Sequence, residues 1–189
     1  MGNQLMTQGL IQLECDIRFS SSDCPASTLI VGLGNPILGD DGVGWRVAEE
    51  VQNQLRLYPE LAADVDVECL SLGGLSLMEH MVGYARAIVI DAINLGQEPH
   101  GSIHCYTLEE FPECAGAHLT STHDTSLQTA LRLGSSMGAK IPDDITIIGI
   151  ESASVYDFSE ELTPPVAEAV SPAVKTVLEL IKHVLSKQT

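Results

Sequence analysis

Residues 28–44 read TLIVGLGNPILGDDGVG, and this stretch decides the fold. The apolar run at residues 28–33 predicts a strand that is covered on both faces of a sheet. The glycines and the proline behind it predict a sharply shaped strand-to-helix turn. Asp40 and Asp41 stand at the tip of this turn, where adjacent carboxylates repel each other unless a cation, a proton or helix-end amides stabilise them. The pair therefore indicates a chemical site.

Strand and helix signals alternate along the rest of the chain. Further strands are predicted at residues 65–70, 87–90, 102–106 and 145–150. Helices are predicted between them, so we expect a three-layer α/β/α domain with a twisted, mostly parallel five-stranded sheet flanked by helices. The strand at 102–106 is expected to run antiparallel, because the segment before Gly101 is too short for a crossover helix.

Two of the predicted helices have boundaries that can be checked. Ser121 is the predicted N-cap of the helix that follows it, with Asp124 three residues later reinforcing the cap. Met137 is expected on the buried face of that helix. Pro172 is expected to kink or restart the last helix, because a proline inside a helix removes one hydrogen bond.

Composition and length bound the domain organisation. The chain has 189 residues, of which 44% are hydrophobic, and this balance is typical of a globular protein with one sizeable core. Residues 1–27 are poorly patterned and are predicted to be an N-terminal extension of unassigned role. Residues 28–189 are predicted to form a single α/β catalytic domain.

The charge of the chain excludes several classes of partner. A formal net charge of −17 argues against nucleic acid and anionic membranes, because both favour clustered Lys and Arg. No apolar run approaches the roughly 20 residues that span a bilayer. The first 16 residues contain no Lys or Arg, unlike a signal peptide, so we expect a cytoplasmic protein. Its five cysteines form no C-x-x-C pair and are expected to be reduced, structural thiols.

Polar side chains follow several of the predicted strands. Ligand sites in open α/β sheets gather where the carboxyl ends of strands meet helix starts. Asp40 and Asp41 follow the first strand, Asp91 ends the third, and His123 opens the helix that precedes the fifth. Two carboxylates and one imidazole can form a facial metal site with open positions, suited to nickel, zinc, iron or manganese.

Each of these residues also has a structural interpretation. Asp40 could be the N-cap of the first helix, a role that contributes about 1 kcal/mol. Asp41 would then lie in the first helical turn, where the helix dipole favours an acid. His123 could be a partly buried histidine at a helix start. Asp91 favours a functional role, because a carboxylate that closes an apolar strand is costly to bury without a partner.

The sequence lacks the motifs of several other common classes of enzyme. The third glycine of a dinucleotide fingerprint would fall at Ile37, and neither a G-x-x-x-x-G-K-[ST] loop nor an H-E-x-x-H motif is present. Ser121, His123 and the residues beside them are too close in sequence for a serine-type triad. Cys69 and Cys105 lie in predicted strands, so neither is expected to be an exposed nucleophile. Glu151 could join the edge site or be solvated.

The motifs resemble those of a known family. Residues 29–36, LIVGLGNP, running into residues 39–44, GDDGVG, resemble the opening of the hydrogenase maturation endopeptidases, which trim the C-terminus of the large subunit of nickel-iron hydrogenases. The resemblance continues through further short motifs and covers about residues 28 to 185. These motifs are Gly73-Gly74, Val89-Ile90-Asp91-Ala92, Thr122-His123, Ile148-Gly149-Ile150 and Leu162-Thr163-Pro164.

The resemblance implies a site and a substrate. The three metal-contacting positions of the family correspond here to Asp41, Asp91 and His123, and the first of them is Glu in some members of the family. The metal in the family is the nickel already installed in the substrate, so we expect the site of the free protein to be empty or to hold another divalent cation. The precursor is cut after a His or Arg shortly beyond its last metal-binding Cys motif. Asp40 could accept a proton during cleavage.

The leading hypothesis is a nickel-dependent endopeptidase that processes a nickel-iron hydrogenase large-subunit precursor. One alternative is a non-catalytic nickel-sensing chaperone or docking module on the same scaffold. Another is a metallohydrolase with its own resident metal. The sequence leaves open which hydrogenase is the substrate and what the oligomeric state is.

Overall fold

The computed structural model describes residues 27–96, 98–112, 126–152 and 158–186. Within these ranges, five strands form one sheet. They are β1 (Thr28–Leu33), β2 (Val65–Leu70), β3 (Arg86–Ile93), β4 (Ile103–Thr107) and β5 (Asp144–Glu151). The α-helices of the same ranges are α1 (Val43–Leu55), α2 (Pro59–Ala62), α3 (Gly74–Met81), α4 (Leu127–Ser136) and α5 (Pro164–Ser186), and a 3-10 helix (Gly39–Gly42) precedes α1.

The sheet has the strand order β2-β1-β3-β5-β4. β1 pairs in parallel with β2 and β3, and β3 pairs in parallel with β5. β4 runs antiparallel along the outer side of β5, as the short connection before it predicted. The carboxyl ends of β1, β3 and β5 therefore meet at one edge of the sheet, where an α/β protein builds its ligand site.

Helices cover both faces of the sheet. Successive side chains of a strand point to opposite faces, so Leu29 of β1 packs with α3 and α4 while Ile30 packs with α1 and α5. Each such apolar side chain stabilises the fold by about 1.5–3 kcal/mol when it is fully buried. The predicted three-layer α/β/α architecture with a mostly parallel five-stranded sheet is confirmed.

β3 is longer than its sequence pattern indicates. The apolar run predicts an end at Ile90, but the strand continues to Ile93. Pairing with β5 sustains it, because Asp91 lies opposite Gly149 and Ile93 lies opposite Glu151. Asp91 is thus a residue of the strand itself, two positions before its end.

Helix boundaries also differ from the predictions. α4 begins at Leu127, and the side chain of Ser126 caps it by accepting a hydrogen bond from the Thr129 N–H at 3.3 Å. The prediction that Ser121 caps this helix is wrong. The burial predicted for Met137 is also wrong, because α4 ends at Ser136 and the Met137 side chain is 78% exposed.

The last helix continues through Pro172 without a restart. Residues 1–26 lie outside the described ranges, so the N-terminal extension stays a prediction. None of the described helices is long and apolar enough to cross a lipid bilayer.

Candidate active site

The turn between β1 and α1 needs glycine for two reasons. Gly34 has φ +128°, a conformation that L side chains rarely adopt. A Cβ at this position would also lie 1.8 Å from the carbonyl oxygen of Asp41. The backbone of Gly34 therefore passes directly against the carboxylate-bearing turn, and the sharp turn predicted from the sequence is confirmed.

Asp41 lies in the 3-10 helix and its residue surface is only 5% exposed. Its Oδ2 accepts a hydrogen bond from the Asn35 N–H at 2.7 Å. Hydrogen bonds to an ionised carboxylate are short and about twice as strong as neutral ones. The turn thus supplies a backbone amide that orients the Asp41 carboxylate.

Asp91 is fully buried in β3, the strand beside β1. The first turn of α1 lies against both β1 and β3, and it therefore connects the surroundings of Asp91 with those of Asp41. A Cβ on Gly44 would lie 2.2 Å from the Leu33 carbonyl oxygen and 2.4 Å from the Ile90 carbonyl oxygen. α1 therefore begins directly against the carboxyl ends of β1 and β3. Asp41 and Asp91 both lie at this edge of the sheet.

Asp40 contacts a distant part of the chain. Its residue surface is 3% exposed, its Oδ1 accepts the Thr163 N–H at 2.7 Å, and its Oδ2 accepts the Thr163 Oγ1–H at 2.9 Å. α1 has Gly42 at its N-cap position and no side-chain cap. The interpretation of Asp40 as the N-cap of the first helix is therefore wrong: it binds the residue that precedes α5.

His123 lies outside the described residues, so its predicted place beside Asp41 and Asp91 stays a prediction. Across the ranges that the structure does describe, no group of three or more His, Cys, Asp or Glu side chains is arranged to hold a metal ion. The two aspartates at the sheet edge are thus the described part of the predicted set of three.

Glu151 is the last residue of β5 at the same edge and is 1% exposed. The alternative that its side chain is solvated is therefore wrong. Its Oε1 accepts the Leu95 N–H at 2.9 Å and the Gly96 N–H at 2.8 Å. The carboxylate therefore holds the segment that follows β3. This role fixes the backbone beyond Asp91.

The described cysteines do not behave as activated nucleophiles. Cys105 lies on the edge strand β4 and is exposed, although its strand position led us to expect otherwise, while Cys69 is partly buried; neither thiol is activated. Partial desolvation of the sulfur by its neighbours, and to a smaller extent the charge of Glu110, nevertheless raises the pKa of the Cys105 thiol. Burial, with a smaller contribution from the charge of Glu49, raises the pKa of Cys69 to about 11. A reactive thiol would need the opposite shift.

The described geometry supports two kinds of chemistry. Buried carboxylates supply oxygen ligands for a divalent cation, and a carboxylate can also accept a proton from water. Electrostatic attraction to a cation is stronger at a site with little water than in bulk solvent. Sequence reasoning missed Thr163 as a partner of this edge, although its Leu-Thr-Pro motif was part of the family resemblance.

Comparisons with known proteins agree on one family. A family model described as hydrogenase maturation protease matches residues 45–180. The hydrogenase expression/formation protein HupD of Rhizobium leguminosarum bv. viciae is 31% identical over 154 residues, which cover 82% of this chain and 73% of that protein.

Solved structures show the same fold. The hydrogenase maturating endopeptidase HybD from E. coli superposes with a TM-score of 0.62 at 23% identity, covering 83% of this chain and 93% of that one. The NiFe hydrogenase maturation protease HybD from Thermococcus kodakarensis superposes with a TM-score of 0.59 at 25% identity, covering 82% and 98%. From its sequence match and its fold, the chain belongs to the hydrogenase maturation protease family.

Proposed function

We propose that this protein is a cytoplasmic endopeptidase that removes the C-terminal extension of a nickel-iron hydrogenase large-subunit precursor after nickel insertion. The observation that carries the proposal is the burial of Asp41 and Asp91 at the carboxyl ends of the neighbouring strands β1 and β3. The names of the relatives, a hydrogenase expression/formation protein and a NiFe hydrogenase maturation protease, supply the substrate class.

The nickel in this proposal belongs to the substrate. Asp41, Asp91 and His123 would supply two oxygen ligands and one nitrogen ligand, a set that suits a first-row transition metal and leaves positions open. A precursor that carries nickel would then satisfy these side chains, and an empty precursor would leave the buried acids without their cation. The protease would thereby test whether metal insertion is complete.

Cleavage itself adds water to the scissile carbonyl, breaks the C–N bond and leaves a carboxylate and an amine. A cation beside that carbonyl stabilises the negative charge that develops on its oxygen, or lowers the pKa of an attacking water. Because Asp41 is oriented by the Asn35 N–H, it needs little reorganisation when the substrate binds. His123 and the two aspartates are the residues we assign to the reacting centre.

A paired-precursor assay tests the proposal. The purified protein is incubated with nickel-loaded and with nickel-free precursor, and the released C-terminal peptide is identified by mass spectrometry. Cleavage of the loaded form alone is the expected result. Binding of the precursor without cleavage favours the nickel-sensing chaperone or docking module. Full cleavage activity of a protein that retains its own bound metal after dialysis favours the metallohydrolase.

Variants test whether cleavage takes place at the edge of the sheet where Asp41 and Asp91 lie. We expect Asp91→Asn and His123→Ala to lower the cleavage rate by at least about a hundredfold, since each removes one of three predicted contacts to the nickel. Asp143→Asn is the matched control, because the exposed Asp143 adjoins β5 at its amino end. Undiminished cleavage by Asp91→Asn with a folded protein would remove Asp91 from the site.

A further inference from the structure

Asp40 and Thr163 form a contact between two segments that lie far apart in the sequence. Both carboxylate oxygens of Asp40 accept hydrogen bonds from Thr163, one from its backbone N–H at 2.7 Å and one from its hydroxyl at 2.9 Å. Asp40 is buried, so these bonds satisfy a carboxylate group that is largely shielded from water. We call this pair the Asp40–Thr163 clasp.

Backbone hydrogen bonds reinforce the clasp nearby. The Gly39 N–H donates to the Ser159 carbonyl oxygen at 2.6 Å, and the Ser159 N–H donates to the Ile37 carbonyl oxygen at 3.1 Å. Leu38 and Ser159 form a parallel β-bridge. The turn that carries Asp40 is therefore joined along its length to the segment that leads into α5.

The start of α5 suits a buried carboxylate. The Thr163 carbonyl oxygen accepts the Ala167 N–H at 2.8 Å, so Thr163 is the residue from which the helix begins. The positive end of the helix dipole favours the negative charge of Asp40 at this point. Pro164 and Pro165 carry no N–H groups, and the residue directly before them, Thr163, donates both hydrogen bonds to Asp40.

On the basis of the proposed function, we infer that the Asp40–Thr163 clasp is a positioning device that holds Asp41 in its working orientation. Consecutive Cα atoms are about 3.8 Å apart, so anchoring Asp40 on α5 also fixes the backbone of Asp41. The side chain of Asp41 is then directed to the Asn35 N–H. This assigns Asp40 and Thr163 to positioning, in place of the proton transfer considered for Asp40.

Substitutions at Thr163 separate positioning from simple support of the fold. Thr163→Val keeps the backbone N–H and the side-chain shape but removes the hydroxyl donor, whereas Thr163→Ser keeps both donors. We expect Thr163→Val to lower kcat on the nickel-loaded precursor by about tenfold or more with KM nearly unchanged, and Thr163→Ser to restore kcat.

A matched control lies on the same helix. Thr176 is partly buried in α5 and its hydroxyl donates to the Pro172 carbonyl oxygen at 3.1 Å, so Thr176→Val makes the same chemical change away from the site. We expect wild-type kcat from this variant. A folded Thr163→Val protein that also has wild-type kcat would overturn the inference, and so would an equal loss in Thr176→Val.

A second readout does not depend on cleavage. The Asn35 N–H reports on Asp41 directly, and its hydrogen exchange can be followed by NMR in the protein without substrate. We expect exchange about tenfold faster in Thr163→Val, and also in Asp40→Asn, which weakens the clasp while leaving Thr163 intact. Unchanged exchange of Asn35 in both variants would contradict the positioning role.

The two readouts distinguish failure of the clasp from failure of the proposed function. If the wild-type protein does not cleave the loaded precursor, the proposed function is overturned and the exchange of the Asn35 amide still decides whether the clasp orients Asp41. If the wild-type protein cleaves and Thr163→Val matches it in both kcat and exchange, the proposed function stands and the clasp has only a structural role.

Discussion

Gly44→Ala tests the contact that brings the start of α1 to the carboxyl ends of β1 and β3. A Cβ at this position would lie 2.2 Å from the Leu33 carbonyl oxygen and 2.4 Å from the Ile90 carbonyl oxygen. Both atoms belong to the backbone of central strands and cannot move aside as a side-chain tip can. Alanine therefore forces the helix away from the sheet and carries the turn with Asp41 away from Asp91.

The magnitude follows from two opposing terms. Alanine gains about 1 kcal/mol over glycine in a helix, and overpacking against rigid backbone costs about 1–3 kcal/mol or more. Two carbonyl groups of the sheet are overpacked at about 2 kcal/mol each, so we expect a net loss of about 3 kcal/mol in the free energy of unfolding. A displacement near 1 Å at a reacting group costs about a hundredfold in rate, so processing should fall by a similar factor.

Gly134→Ala is the matched control. Gly134 is also a buried helical glycine, but its nearest contact would be the Met78 Sδ at 2.8 Å, the far part of a flexible side chain. We expect a change within about 1 kcal/mol there, since Met78 can adjust and the helix propensity improves. Urea unfolding followed by circular dichroism measures both variants. If Gly44→Ala is no less stable than Gly134→Ala, the packing of α1 against the strand ends is refuted.

Two further predictions concern the sheet edge and the thiols. Glu151→Gln should lower the free energy of unfolding by about 2 kcal/mol in a urea titration, because it weakens the hydrogen bonds from the Leu95 and Gly96 N–H groups. The control Glu109→Gln, on the exposed surface, should leave the free energy of unfolding unchanged. An equal effect of the two changes would contradict the anchoring role of Glu151. With the other cysteines replaced by serine, Cys69 should react with a maleimide at a rate that rises tenfold per pH unit up to its pKa of about 11, because burial disfavours the charged thiolate. A plateau near the ordinary thiol pKa would contradict this shift.

The strands were predictable because most of them are coherent apolar runs. Residues 28–33 and 145–150 are apolar apart from Thr28 and Thr146, as expected of central strands covered on both faces. The antiparallel β4 was predictable from the shortness of the segment before Gly101. The end of β3 was not, since Asp91 interrupts the apolar pattern while its pairing with Gly149 of β5 keeps the strand intact.

The partner of Asp40 could not be predicted from local sequence patterns. A helix cap is a contact between residues close in sequence, so the sequence favoured that interpretation of an aspartate ahead of α1. Its actual partner, Thr163, is 123 residues away, and only the folded chain brings the two together. The placement of Asp41 and Asp91 at one edge of the sheet was predictable, because the carboxyl ends of parallel strands meet at the same edge.

The central claim is that Asp41, Asp91 and His123 converge on the nickel of the precursor. The most direct measurement is X-ray absorption at the nickel K-edge of a loaded precursor with a blocked scissile bond, alone and in complex with this protein. We predict additional oxygen and nitrogen scatterers in the first coordination sphere on complex formation, and their loss with Asp91→Asn or His123→Ala. A nickel coordination sphere that is the same in the free precursor and in the wild-type complex would contradict the claim.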